Sequence, residues 1–209
     1  MPEVPFLNPS KNFSVASETN IQLSKYSSLV LLANKEMNLI AKSTEASIWE
    51  RHIHDSAQLL KLFPEGAKSF CDVGSGAGFP GIVLKILDQS LNCFLVEPSK
   101  KKADFMKRTA SSLDLTLNIA QKMYEDLENT PFCSTDVITA RALMPLSRLL
   151  DLLSGPINNG AIGIFPKGRS WEKELTEAQK KWEIKHTSFP SETSTESRII
   201  VIEEVKRND

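Results

Sequence analysis

Cysteine is scarce in this chain. Three occur in 209 residues, Cys71, Cys93 and Cys133. So few, and an odd number, exclude a disulfide-stapled scaffold and read as reduced core thiols of a cytoplasmic protein. Histidine is equally sparse, at three, and no Cys/His spacing suggests zinc. His52 and His54 stand two apart, which is wrong for one helix face, so no metal is expected. No apolar run approaches the ~20 residues of a membrane span. The opening Met-Pro-Glu-Val-Pro lacks the basic and apolar parts of a signal peptide. A net charge of -1 means that any nucleic-acid partner must be met by a local basic patch rather than a global field. No internal repeat or low-complexity segment is visible. What remains is 41% apolar residues in a length suited to one large domain, or one domain with an appendage.

Against that background one stretch stands out. Residues 70–81 read Phe-Cys-Asp-Val-Gly-Ser-Gly-Ala-Gly-Phe-Pro-Gly. A short apolar run over residues 69–73 precedes the glycines, and Ile82, Val83, Leu84, Ile86 and Leu87 follow with helical spacing. The pattern is strand, glycine loop, helix. Glycine permits positive φ and lets a ligand lie against the main chain, and the helix start offers free N–H groups. A nucleotide-like cofactor at the end of the first strand is the reading. Gly76, Gly78 and Gly81 satisfy a dinucleotide Gly-x-Gly-x-x-Gly pattern. Asp72 and Gly74 argue for a different ligand: a carboxylate at the strand end repels a pyrophosphate and suits an ammonium group, as in S-adenosylmethionine.

A second acid supports a ribose. Asn92-Cys93-Phe94-Leu95-Val96 is a buried-strand candidate ending at Glu97, about 20 residues past the loop, where an acid accepts both ribose hydroxyls. That placement fits NAD as well as S-adenosylmethionine.

The rest of the chain alternates. Helical spacing covers residues 18–40 and 45–63, before the first strand. Then come a strand near 92–97, a helix over 99–112, strands near 116–120 and 136–140, a helix over 145–153, a strand over 161–166 and a helix over 170–182. Residues 183–189 and 197–206 break the rhythm. Both are strand-like with no helix between them, so they must pair antiparallel. A mostly parallel α/β sheet ending in an antiparallel hairpin is the layout of Rossmann-like methyltransferases. The expected division is an N-terminal helical segment, residues 1–64, packed on a core of residues 65–209.

Further candidates lie at strand ends. Tyr124 and Glu125 follow the third strand, where the loop flanks an adenine, or form a solvated turn. Arg141 follows the fourth, where its fork suits the methionine carboxylate or a loop acid. Lys167 and Arg169 add cations to that rim, and Arg51, His52 and Asp55 lie one turn apart on the second N-terminal helix.

Together these residues resemble a known family, the bacterial 16S rRNA guanine-N7 methyltransferases, also called glucose-inhibited division protein B. The resemblance runs over almost the whole chain. Its carriers are Asn34-Lys35-x-x-Asn38-Leu39, Arg51-His52-Ile53-x-Asp55-Ser56, the loop from Asp72 to Ile82, the basic segment from Lys100, Ala140-Arg141-Ala142 and Lys167-Gly168. The chain departs from the family's usual residues at Ile40, Phe79, Glu97 and Tyr124. The resemblance implies S-adenosylmethionine as cofactor, with contacts at Gly74, Phe79, Tyr124, Glu125 and Arg141. It also implies 16S rRNA or the small ribosomal subunit as partner. Guanine N7 carries a lone pair and no proton, so no catalytic base is required. A methyltransferase for a small molecule or protein is the alternative. The RNA is expected at Arg51, Lys167 and Arg169, and the enzyme to act as a monomer.

Overall fold

The computed structural model describes residues 17–127 and 130–208. These residues form one seven-stranded sheet in the order β3-β2-β1-β4-β5-β7-β6. The parallel strands are β1 (Ser69–Val73), β2 (Asn92–Val96), β3 (Asn118–Ala120), β4 (Val137–Thr139) and β5 (Ile162–Lys167). The hairpin β6 (Trp182–Pro190) and β7 (Arg198–Arg207) closes the sheet. β7 inserts between β5 and β6 and pairs antiparallel with both. The strand order reverses between β1 and β4, and a cleft opens at such a switch point beyond the C-terminal strand ends.

Six α-helices among the described residues cover the two faces: α1 (Ser17–Met37), α2 (Asp55–Ala57), α3 (Gly81–Leu87), α4 (Lys100–Leu113), α5 (Leu146–Asn158) and α6 (Trp171–Gln179). One apolar cluster gathers Leu23, Tyr26 and Val30 of α1 with Ile53, Leu59, Ile82, Leu84, Phe105 and Met106 against Phe70, Cys93 and Leu95. The other sets Leu146, Leu149, Leu150 and Leu153 of α5 and Leu175 of α6 against Cys71, Ile138, Phe165 and Ile200. The N-terminal helices therefore share a core with the sheet. Cys71 and Cys93 lie buried as free thiols on opposite faces of β1 and β2. No helix of the described residues is long and apolar enough to cross a membrane.

One expected element is corrected. Residues 45–63 do not form a regular α-helix. A π-helical turn, Trp49–His54, leads through α2 into a 3-10 stretch, Gln58–Leu62. The wider π turn shifts the register of the side chains that follow. Arg51 and Asp55 consequently make no i,i+4 pair; Asp55 turns to Arg141 instead.

Candidate functional site

The glycine loop leaves β1 with three left-handed residues: φ is +72° at Gly74, +60° at Gly76 and +99° at Gly78. Side chains rarely adopt these angles, which explains the residue choice. Their surroundings differ. A Cβ on Gly78 would strike Ile82 and approach the Tyr26 hydroxyl, so Gly78 faces the core. Gly76 is open: a Cβ there would meet nothing closer than the Gly74 carbonyl, 3.9 Å away. Gly74 is covered by the Leu143 side chain, which is itself partly exposed.

Asp72 is fully buried. Its Oδ1 accepts the Thr139 hydroxyl at 2.9 Å across the β1–β4 pair, and its Oδ2 accepts the Gly81 N–H at 3.2 Å. The carboxylate thus caps the first turn of α3 and braces the loop from below. Its oxygens have internal partners, where the sequence suggested a ligand ammonium. Burial pushes its pKa from 3.8 up to about 6, against the lowering by those hydrogen bonds and the Arg141 charge. The folded state therefore keeps a proton that the unfolded chain releases between about pH 4 and pH 6. Stability from this group is full below pH 4 and is lost as pH rises through 6. Asp72→Asn keeps an acceptor for Gly81 N–H and can donate to Thr139 Oγ1. Its stability relative to wild type should rise from pH 4 to pH 7 by on the order of 2–3 kcal/mol. Urea unfolding midpoints across that range measure it; parallel curves would refute the buried titration.

Glu97, at the tip of β2, is buried and splits its carboxylate. Oε2 accepts the Gly76 N–H at 2.9 Å and Oε1 the Ser99 N–H at 2.9 Å. It ties the glycine loop to the start of α4 and retains lone pairs for a ligand's hydroxyls. Phe79 is buried, with its ring against Tyr26 (5.0 Å between centroids) and His52 (5.1 Å). Tyr124 lies in the α5-side core with its hydroxyl unpaired among the described residues, and Glu125 beside it is exposed. The side chains of Phe79 and Tyr124 thus pack in this structure, the first in the α1-side cluster and the second in the α5-side cluster.

Arg141 reaches the N-terminal segment. Nη1 donates to the Arg51 carbonyl (3.2 Å) and to Asp55 Oδ2 (3.1 Å); Nη2 donates to His52 Nδ1 (2.9 Å). Its guanidinium also lies over the Phe79 ring, 5.4 Å from the centroid. The acid it meets in this structure is Asp55, at the start of α2. His52 Nε2 meets Thr44 Oγ1 at 2.8 Å, and Thr44 donates onward to the Ala41 carbonyl. The network assigns the proton to Nε2. Burial and the Arg141 charge lower the His52 pKa to about 4, so the ring is neutral. Thr193, in the β6–β7 loop, donates to Asp55 Oδ1 at 2.9 Å. Sequence reasoning missed Thr44 and Thr193, since nothing local marks a hydroxyl whose partner lies far along the chain.

These groups line a cleft of about 520 Å³ at the ends of β4 and β5. Arg51, His52, Asp55, Arg141, Leu143 and Arg198 are on its wall. Lys167 is there too, but its ammonium is buried and taken by Glu174 (2.9 Å) and the Met144 carbonyl (3.0 Å). Arg169 is exposed and paired with Glu196 at 2.8 Å. Both were expected on RNA; each meets an acid here, a partner that its strand-end position could not reveal. No cluster of metal-ligating side chains occurs among the described residues.

A left-handed glycine loop after β1, a strand order that reverses between β1 and β4, and a sheet closed by an antiparallel hairpin define a Rossmann-like S-adenosylmethionine-dependent methyltransferase. Solved structures share this fold. A mutant of MtNAS in complex with S-adenosylmethionine matches with a TM-score of 0.57 at 14% identity, over 93% of this chain and 79% of that one. A SAM-dependent methyltransferase from Aquifex aeolicus matches with a TM-score of 0.54 at 15% identity, over 75% and 91%. The family model described as rRNA small subunit methyltransferase G, GidB, matches residues 19–200. The Ribosomal RNA small subunit methyltransferase G of Rhodospirillum centenum is 39% identical over 193 residues, spanning 92% of this chain and 88% of the relative. That of Gluconobacter oxydans is 36% identical over 194 residues, spanning 93% and 98%. The chain belongs to the family of rRNA small subunit methyltransferase G, and its cofactor is S-adenosylmethionine. The residues fit that cofactor: Gly76 offers an open backbone cradle, and the Glu97 carboxylate stands at the adjoining strand tip.

Proposed function

We propose that this chain transfers a methyl group from S-adenosylmethionine to N7 of a guanine in 16S rRNA of the small ribosomal subunit. Family membership over residues 19–200 supports the substrate class. The observation that carries the mechanism is the cleft at the ends of β4 and β5, whose wall residue Leu143 also lies against Gly74 of the glycine loop. When bound, the cofactor supplies a methyl already activated on a sulfonium.

The chain's own residues have little bond-breaking to do. Guanine N7 presents a lone pair and no proton, so the site needs no base. His52, the imidazole on the cleft wall, has both nitrogens engaged by Arg141 and Thr44 and is held as a positioning group. Gly74 shapes the loop, Gly76 would let a ligand approach the main chain, and Glu97 would take its ribose hydroxyls. Arg141, fixed by Asp55 and His52, holds the far wall in one place. Catalysis then rests on placement, where effective molarity supplies most of the gain. The target base must leave its stack to enter the cleft. The same reading puts the enzyme in the cytoplasm and has it act as a monomer.

The test is transfer of labelled methyl to 16S rRNA from cells lacking the enzyme, as 30S particles and as naked rRNA. N7-methylguanosine in the digested rRNA is the expected product. Label in a ribosomal protein, or in neither substrate, would overturn the reading.

A further inference from the structure

The cations lining the cleft differ in what already holds them. Lys167 is bound to Glu174, and Arg141 to Asp55 and His52. An incoming anion would have to break those pairs. Arg198 has no carboxylate partner among the described residues. It is the first residue of β7 and is half-buried. Its Cζ lies 5.5 Å from the centroid of the Trp171 ring, at the start of α6. Its Nη1 donates to the Ser197 carbonyl at 3.2 Å and to the Thr195 carbonyl at 3.5 Å. Nε and Nη2 make no hydrogen bond among the described residues. The guanidinium is therefore oriented by an aromatic face and two carbonyls, yet keeps a donor edge free on the cleft wall. Such a fork matches the oxygens of a phosphate, and fixing it in advance reduces the ordering that binding requires. An indole face also suits a guanidinium better than an ammonium, which accounts for arginine here.

Resting on the rRNA reading above, we propose that Arg198, oriented by Trp171, holds a phosphate of the rRNA backbone beside the target nucleotide. Lys167, buried against Glu174, is then a structural cation of the same rim.

The experiment measures kcat and KM for undermethylated 30S subunits across a salt series. Melting temperature and S-adenosylhomocysteine affinity are taken in parallel. Arg198→Ala is expected to raise KM about tenfold at physiological salt and to reduce the slope of log KM against log salt by about 0.7, the share of one phosphate contact. Cofactor affinity and kcat should stay at the wild-type level. Arg198→Lys should keep the salt slope with an intermediate KM. Arg207→Ala removes the other stacked arginine of β7, over Trp182 at 5.7 Å, and should change neither. A purely structural Arg198 would lower the melting temperature and leave the salt slope intact. Wild-type KM and slope in Arg198→Ala, with an active wild-type enzyme, would overturn this inference alone. A wild type that binds S-adenosylhomocysteine but methylates no rRNA would instead overturn the functional reading.

Discussion

Gly74→Val should abolish both methyl transfer and cofactor binding. Gly74 holds φ at +72°, and a left-handed conformation costs an ordinary residue roughly 1–2 kcal/mol, more when it is β-branched. A Cβ there would also come within 2.5 Å of Leu143 Cδ1. Leu143 is 38% exposed and can swing away, so the clash is the cheaper term. Backbone strain at the left-handed turn decides the outcome. Gly74 donates to the Val96 carbonyl at 2.9 Å, and relaxing its φ would pull the loop off the tip of β2. Calorimetry with S-adenosylhomocysteine should give no measurable heat, while circular dichroism reports a folded protein. A fully active variant would mean that the loop does not carry the ligand.

Glu97→Ala should lose cofactor affinity by roughly 10- to 150-fold, from the 1.5–3 kcal/mol typical of a hydrogen bond to a charged group. Two effects combine. The ribose acceptor disappears, and the N–H groups of Gly76 and Ser99 lose their partner. The loop should loosen, lowering the melting temperature as well. Glu97→Gln separates these effects: it keeps one acceptor but turns an amide donor toward one of the two N–H groups. Its affinity should fall between wild type and Ala. Unchanged affinity in the Ala variant would remove Glu97 from the site.

The correction at residues 45–63 shows where sequence patterns stop. Ile48, Trp49, Ile53, Leu59 and Leu60 repeat at broadly helical spacing, and that spacing reports only that one side is buried. It does not distinguish an α turn from the π turn at Trp49–His54, because apolar spacing reports burial and not hydrogen-bond register. The turn type decides where Arg51, His52 and Asp55 point, and so decides that Asp55 meets Arg141.

The strand ends and the glycine loop were legible for the opposite reason. Left-handed backbone admits few residues, so Gly74, Gly76 and Gly78 announce their conformation locally. The β-branched run of β7, following β6 without a helix, could pair only antiparallel. Local chemistry thus determined the cofactor loop, the sheet and its closing hairpin. Tertiary structure alone decided which charges are free. Arg141 finds Asp55 across 86 positions, and Thr193 finds it across 138. Lys167 is buried against Glu174, and Arg198 rests on Trp171. A side chain's charge is written in the sequence. Whether that charge is already neutralised depends on which distant segment folding brings within about 4 Å, and no local pattern encodes that distance.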